Sequence, residues 1–159
     1  MKNPSDLATE SVWDYPRPPR VEADSRRVVV KSDGVVIADS TSARRILETS
    51  HPPAFYLPTR NVDMSLLVLG RHHSFCEFKG SASYYDLIEP KRVRQVGWTY
   101  PDPSPGFEEI KDMICFYPSK VECFVADERV IPQEGGFYGG WITGEIVGPF
   151  KGAPGTLGW

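Results

Sequence analysis

Residues 28–38 read Val28-Val29-Val30-Lys31-Ser32-Asp33-Gly34-Val35-Val36-Ile37-Ala38, two β-branched runs around a Ser-Asp-Gly turn. β-Branched side chains are stiff at χ1 and pack well on a pleated surface. Asp-Gly supplies the positive φ that a two-residue hairpin turn needs. This segment therefore predicts a β-hairpin, and much of the chain repeats its pattern of short apolar runs between turn residues.

Working outward, strands are expected at 55–57, 75–79, 82–88, 93–100, 115–117, 121–126 and 130–131. Residues 42–48 (SARRILE) read as a short helix ended by His51-Pro52-Pro53. Asp63 can cap a brief helix over 64–69. Phe107, Ile110, Met113 and Ile114 recur at a helix-like period. Seven or more short strands with frequent turns predict a mainly β fold, a sandwich or an open barrel.

Two flanks differ from this body. Residues 1–27 hold Trp13-Asp14-Tyr15-Pro16-Arg17-Pro18-Pro19-Arg20. Proline fixes φ and donates no N–H, so an extended Pro-rich arm is expected. Residues 132–159 carry nine of the fourteen glycines and five aromatic residues, Phe137, Tyr138, Trp141, Phe150 and Trp159. That stretch has too few aliphatic residues for its own core and too many rings for a plain linker. It is expected to lie as an irregular strap across a domain formed by 28–131.

Composition narrows the function classes. The net charge of −3 argues against a nucleic-acid binder working through a broad basic face. No apolar stretch approaches the roughly 20 residues of a membrane span. Three cysteines without framework spacing, Cys76, Cys115 and Cys123, fit a reduced, cytoplasmic protein. The polar first ten residues do not read as a secretory leader. The cysteines and His51, His72 and His73 lack the paired spacing of a structural zinc site, so no metal is expected. Phosphate-cradling glycine motifs are absent, and no cofactor is expected.

Candidate site residues come from three places. In a strand, Phe75, Glu77 and Lys79 share one face, placing a carboxylate, an ammonium and a ring side by side. Such a set serves as the polar end of a ligand pocket or as a solvated ion pair. Cys76 and Phe78 fall on the opposite, core side. His51 is held extended by the proline after it; it can exchange a proton, bind a ligand, or satisfy a carbonyl in a turn. Trp98 and Tyr100 share a strand face. Gly139-Gly140 beside Trp141 leaves ring faces open for stacking. Tyr56 adds another ring. No residue is assigned as catalytic. The ligand-binding set is His51, Tyr56, Glu77, Lys79, Trp98, Tyr100 and Trp141. An enzyme using Cys76 as nucleophile or His51 as base is an alternative, as is a protein-interaction module, with an oligomer possible.

Five collinear strings resemble the Domain of Unknown Function 427 family: VVIADSTSARRILETSHPPAFYLP (35–58), CEFKGSASYYDL (76–87), WTYPDPSPGFEEI (98–110), FYPSKVECFVADERVIPQ (116–133) and GGFYGGWITGEIVGPFKGAPGTLGW (135–159). The resemblance implies a β-tent-like fold, two antiparallel sheets meeting at an angle, with short helices and the long C-terminal strap. Many such domains carry zinc at the pin, and some bind small molecules in an aromatic cage. This chain lacks the paired cysteines for that zinc. It departs from the family at Asp127-Glu128, where members often have Asp-Gly, and at Glu77, where many carry proline. A nucleotidyltransferase-like label attached to the family finds no support, because Gly80-Ser81 is followed by Asp86 alone. What remains is an expected small-molecule ligand in an aromatic-lined cleft.

Overall fold

The computed structural model describes residues 8–135, 138–153, 155–156 and 158–159. The expectations placed on the first seven residues and on Gly136-Phe137 lie outside the described residues. The strands, in chain order, are β1 Glu10–Ser11, β2 Arg20–Asp24, β3 Val28–Ser32, β4 Val35–Ser40, β5 Ala43–Leu47, β6 Ala54–Tyr56, β7 Leu67–Cys76, β8 Gly80–Leu87, β9 Val93–Thr99, β10 Ile114–Phe116, β11 Glu122–Val125, β12 Glu128–Arg129, β13 Ile131–Pro132, β14 Trp141–Ile142 and β15 Ile146–Val147. Two four-stranded antiparallel sheets dominate, ordered β12-β11-β3-β4 and β10-β9-β8-β7. A three-stranded sheet β2-β5-β6 and the pairs β1-β15 and β13-β14 complete the fold. Among the described residues no sheet closes into a barrel, and no helix is long and apolar enough to cross a membrane.

The expected hairpin at 28–38 is present as β3 and β4. Asp33 (φ 48°) and Gly34 (φ 79°) both occupy the left-handed region, the pair of conformations a type I′ turn requires. A second turn of this kind, at Ala126 (φ 48°) and Asp127 (φ 67°), reverses β11 into β12.

The three helical segments expected from the sequence are corrected. Residues 42–48 contain good helix formers, yet Ala43–Leu47 is the central strand of its sheet, paired with β2 on one side and β6 on the other. Backbone pairing along both edges overrides a helix preference of a few tenths of a kcal/mol per residue. Residues 107–114 form one 3-10 turn, Glu108–Ile110, before β10. Asp112 at φ 62° interrupts any continuing helix. The apolar period nevertheless marked inward residues, since Phe107, Ile110, Met113 and Ile114 are all buried. Asp63 does cap its turn through a bond from the Ser65 amide (3.2 Å), but the turn stops at Leu66 and β7 begins.

The β10-β9-β8-β7 sheet is covered on both faces, which positions the site. Leu87, Val96, Ile114 and Phe116 join the larger apolar cluster with Val28, Val30, Phe55 and Trp141. Residues of opposite parity on β8 and β10, Ala82, Tyr84 and Cys115, join a second, aromatic-rich cluster with Tyr56, Trp98, Tyr100 and Tyr117. Strand alternation thus divides an aliphatic core from an aromatic one across a single sheet.

The N-terminal arm packs on the body. Val12 and Tyr15 are buried against Leu47 and Ile146, and the Trp13 indole donates to the Pro149 carbonyl (2.8 Å). A charged network fixes it further. Arg45, with its side chain 5% exposed, donates to Glu10 Oε2 (2.9 Å) and Glu22 Oε1 (2.6 Å) and lies 3.4 Å from Asp24 Oδ2. Arg26 bridges Asp24 (2.7 Å) to Glu145 (2.6 Å), joining this network to the C-terminal region.

Candidate functional site

Above the aromatic cluster lies a cleft of about 250 Å³. Its floor is built by Tyr56 from β6, Tyr84 from β8, Trp98 from β9, and Tyr100 and Tyr117 from the segments flanking β10. The Trp98 indole donates to the Tyr56 hydroxyl (2.9 Å), with the two rings edge to face at 6.0 Å. Tyr100 lies 6.3 Å from Tyr56 and Tyr117 4.8 Å from Trp98, centroid to centroid. These separations are those of mutually stabilising aromatic pairs. Burial pushes the Tyr56, Tyr100 and Tyr117 hydroxyls above the ordinary phenol value of 10.0. These phenols therefore stay protonated at neutral pH and supply ring surface and O–H groups rather than a base.

The lip is polar. The turn after β5 carries Glu48 and His51, and the β7-β8 turn carries Glu77 and Lys79. Lys151 joins them from the C-terminal strap. Its amide donates to Ser50 O (2.8 Å), and its carbonyl accepts from Gln133 Nε2 (2.5 Å). Gln133 Oε1 also accepts from the Gly140 amide (3.1 Å), so this one amide side chain clasps two points of the strap. A Cβ on Gly139 would stand 2.5 Å from two Trp98 ring atoms. Glycine there is what lets the strap backbone press against the indole.

His51 is set by its neighbours. Its Nδ1 lies 2.9 Å from the Thr49 carbonyl. A carbonyl only accepts, so Nδ1 carries the proton and Nε2 is the acceptor nitrogen of the neutral ring. Burial holds its pKa below the ordinary 6.5, and the Glu48 carboxylate, 3.7 Å away, pulls the other way without prevailing. His51 enters neutral chemistry at pH 7, able to accept a hydrogen bond from a ligand.

Six of the seven residues expected at a ligand site line this cleft: His51, Tyr56, Glu77, Lys79, Trp98 and Tyr100. The seventh, Trp141, lies elsewhere. It is fully buried, stacks on Phe55 at 5.1 Å, and donates from its indole to Phe116 O (2.9 Å). Its ring fills the aliphatic core. The expected side-by-side placement of Glu77 and Lys79 is also corrected. Strand alternation stops at Cys76, and the chain then turns through Glu77–Lys79. Glu77 remains exposed, while Lys79 swings inward toward Glu48 (3.9 Å). Cys76 is half-buried; it packs against the aromatic cluster, as expected of the core side, and also lines the cleft. Cys115 and Cys123 are buried, and burial pushes both thiols up from the ordinary 9.0, which leaves them inert.

Sequence reading missed Glu48, Tyr84, Tyr117, Tyr138 and Lys151. Tyr138 meets the His51 ring edge to face at 5.2 Å, and the Lys151 ammonium sits 5.4 Å over the Tyr138 ring centroid. The glycine pair at 139–140 and the rigid His51-Pro52-Pro53 were the local signals pointing at this meeting of strap and turn.

A family model described as a domain of unknown function (DUF427) matches residues 20–127. The matched stretch holds the aromatic floor, Glu48, His51 and the Glu77–Lys79 turn, while Gln133, Tyr138 and Lys151 follow it. No curated protein matches the chain. Covering more than half of the chain, the match establishes that it belongs to the DUF427 family.

Proposed function

We propose that this chain is a binding domain whose cleft receives a small organic ligand stacked against aromatic side chains. The supporting observation is the cleft itself, an opening of about 250 Å³ with a floor of tyrosine and tryptophan and a lip of His51, Glu77, Lys79 and Lys151. Ligand sites are characteristically concave and largely apolar, with a few oriented polar groups that set specificity. The volume falls just below the roughly 300–1,000 Å³ usual for drug-sized ligands, which points to a molecule of one or two rings. We read the two four-stranded sheets as the faces of a β-tent, with the cleft on the outer side of one of them. The three unpaired cysteines accord with a reducing, cytoplasmic setting.

A thermal-shift screen of one- and two-ring compounds tests this. A compound bound at 100 times its Kd stabilises the native state by about 2.7 kcal/mol, which raises Tm by several degrees. The control is Ala54→Phe, because Ala54 lines the cleft and a benzyl group there occupies it. We expect that variant to keep its own Tm and lose the response. If no ring class raises Tm, or if Ala54→Phe responds as the parent does, the cleft is not a binding site.

A further inference from the structure

We propose that the cleft selects an uncharged aromatic compound bearing a carbonyl group, whose oxygen accepts a hydrogen bond from the Tyr100 hydroxyl. This rests on the binding function above and goes beyond it by assigning the ligand's charge and the group that is recognised.

The first observation is a line of donors that ends at the cleft. The Trp98 indole N–H can only donate, so the Tyr56 hydroxyl accepts from it (2.9 Å) and keeps its own proton to pass on. The Tyr100 ring stands 6.3 Å from that of Tyr56, and the Tyr56 hydroxyl donates to the Tyr100 oxygen. Tyr100 thus serves Tyr56 as an acceptor and has its own O–H left to give. It lines the cleft although only 5% of its surface is exposed. Each bond in such a chain polarises the next, so the last O–H is a stronger donor than an isolated phenol.

The second is that the other phenols of the floor are engaged with the protein. The Tyr84 hydroxyl lies 2.7 Å from Ser74 Oγ, and the Tyr117 hydroxyl is bonded to Tyr84. Among the described residues of the floor, Tyr100 is the phenol whose proton meets no acceptor from the chain. A carbonyl oxygen supplies that acceptor, having lone pairs and no proton of its own. A ring without an acceptor strips water from this O–H and returns nothing for it.

The third is the charge of the lining. Among the described residues, Glu48 and Glu77 stand against Lys79 and Lys151, with His51 neutral, so the charges cancel. Both ammoniums have an oxygen of the chain beside them, Lys79 at 3.9 Å from Glu48 Oε1 and Lys151 at 3.4 Å from Trp159 O. No counter-charge is left over for an ion, which would give up its hydration on entering. An uncharged carbonyl compound gives up far less.

Isosteric sets test the two requirements separately. Calorimetric titration at pH 7 compares benzamide with benzoate and benzamidinium, which share a shape and differ in charge. It also compares acetophenone with α-methylstyrene, in which a methylene replaces the carbonyl oxygen. We expect benzamide to bind at least about tenfold more tightly than either ion. Acetophenone should bind at least as tightly as α-methylstyrene, although the alkene is the more apolar of the two. Tyr100→Phe should weaken acetophenone about five- to tenfold and leave α-methylstyrene within about twofold. The retained alkene affinity also shows that the variant is folded. An ion that matches benzamide, or an alkene that binds more tightly than the ketone, would overturn the assignment while leaving the chain a binding domain. So would a Tyr100→Phe protein that keeps full ketone affinity or loses ketone and alkene alike. If no member of either set binds, both proposals fall together.

Discussion

Trp141→Ala is expected to lower the unfolding free energy by about 3–5 kcal/mol, the range for truncating a fully enclosed large aromatic side chain. Trp141 has 0% of its surface exposed and stacks on Phe55 with the ring planes 24° apart. Its indole N–H satisfies the Phe116 carbonyl inside the core, and its amide donates to Pro53 O (2.8 Å). Removing the side chain therefore opens a cavity and orphans a buried acceptor at once. A domain of this size holds only about 5–15 kcal/mol in total, so the variant should sit near the edge of folding. Trp141→Phe keeps a stacked ring and loses the N–H, and its cost should be clearly smaller. Urea denaturation of the three proteins measures both differences. An alanine variant within about 1 kcal/mol of the parent would show that this ring is not the plug of the aliphatic core.

Arg45→Ala should cost about 3 kcal/mol at neutral pH, the lower end for breaking a buried ionic network by removing one partner. The lower end applies because Glu10 and Glu22 are themselves 36% and 41% exposed and partly screened by water. Without the guanidinium, Glu10, Glu22 and Asp24 face one another around an empty space. Acid acts on the same groups. The Arg45 hydrogen bond is the main cause holding the Glu10 carboxyl below its ordinary 4.5. Burial alone would raise Asp24, but hydrogen bonds from Arg26 and the Arg26 and Arg45 charges carry it below its ordinary 3.8. For groups shifted in this direction, the added stability is complete above those ordinary values and is lost as pH falls through the lowered native ones. The parent should therefore weaken below about pH 4.5. The variant's deficit should shrink in the same range, because protonation also removes the repulsion left by the missing arginine. Denaturation at pH 7 and pH 3.5 checks this. A variant equal to the parent at pH 7, or a deficit that grows in acid, would remove this network from the account of how the arm is held.

How much of this was legible in the chain depends on the range of the interactions. The Asp33-Gly34 hairpin could be read because two adjacent residues determine its backbone. β5 could not, since Ala43–Leu47 is a strand only by virtue of β2 and β6, supplied from either side in sequence. The rings of the floor were legible as rings on shared strand faces, and Trp98 and Tyr100 do meet Tyr56. The position of Trp141 was not, because the glycine-rich sequence before it shows no apolar alternation from which its direction could be counted. Lys79 misled for a related reason. Alternation predicts its face only while the strand lasts, and the turn that reverses the chain leads into Gly80 at φ 105°. Lys151 had no local signature at all. It reaches the cleft through backbone and side-chain bonds to Ser50 and Gln133, about 100 and 18 residues away in the chain.

The most direct measurement uses the four tryptophans as reporters, since each carries one indole N–H visible in a proton–nitrogen correlation spectrum. Trp98 lines the cleft, Trp141 fills the aliphatic core, and Trp13 packs against Trp159 at 5.2 Å outside it. Titration with the best-binding aromatic compound should move the Trp98 indole resonance along a saturable curve, with Trp141 unmoved. A spectrum in which Trp98 stays fixed while the compound binds, or in which all four resonances drift together without saturating, would contradict a ligand seated on this floor.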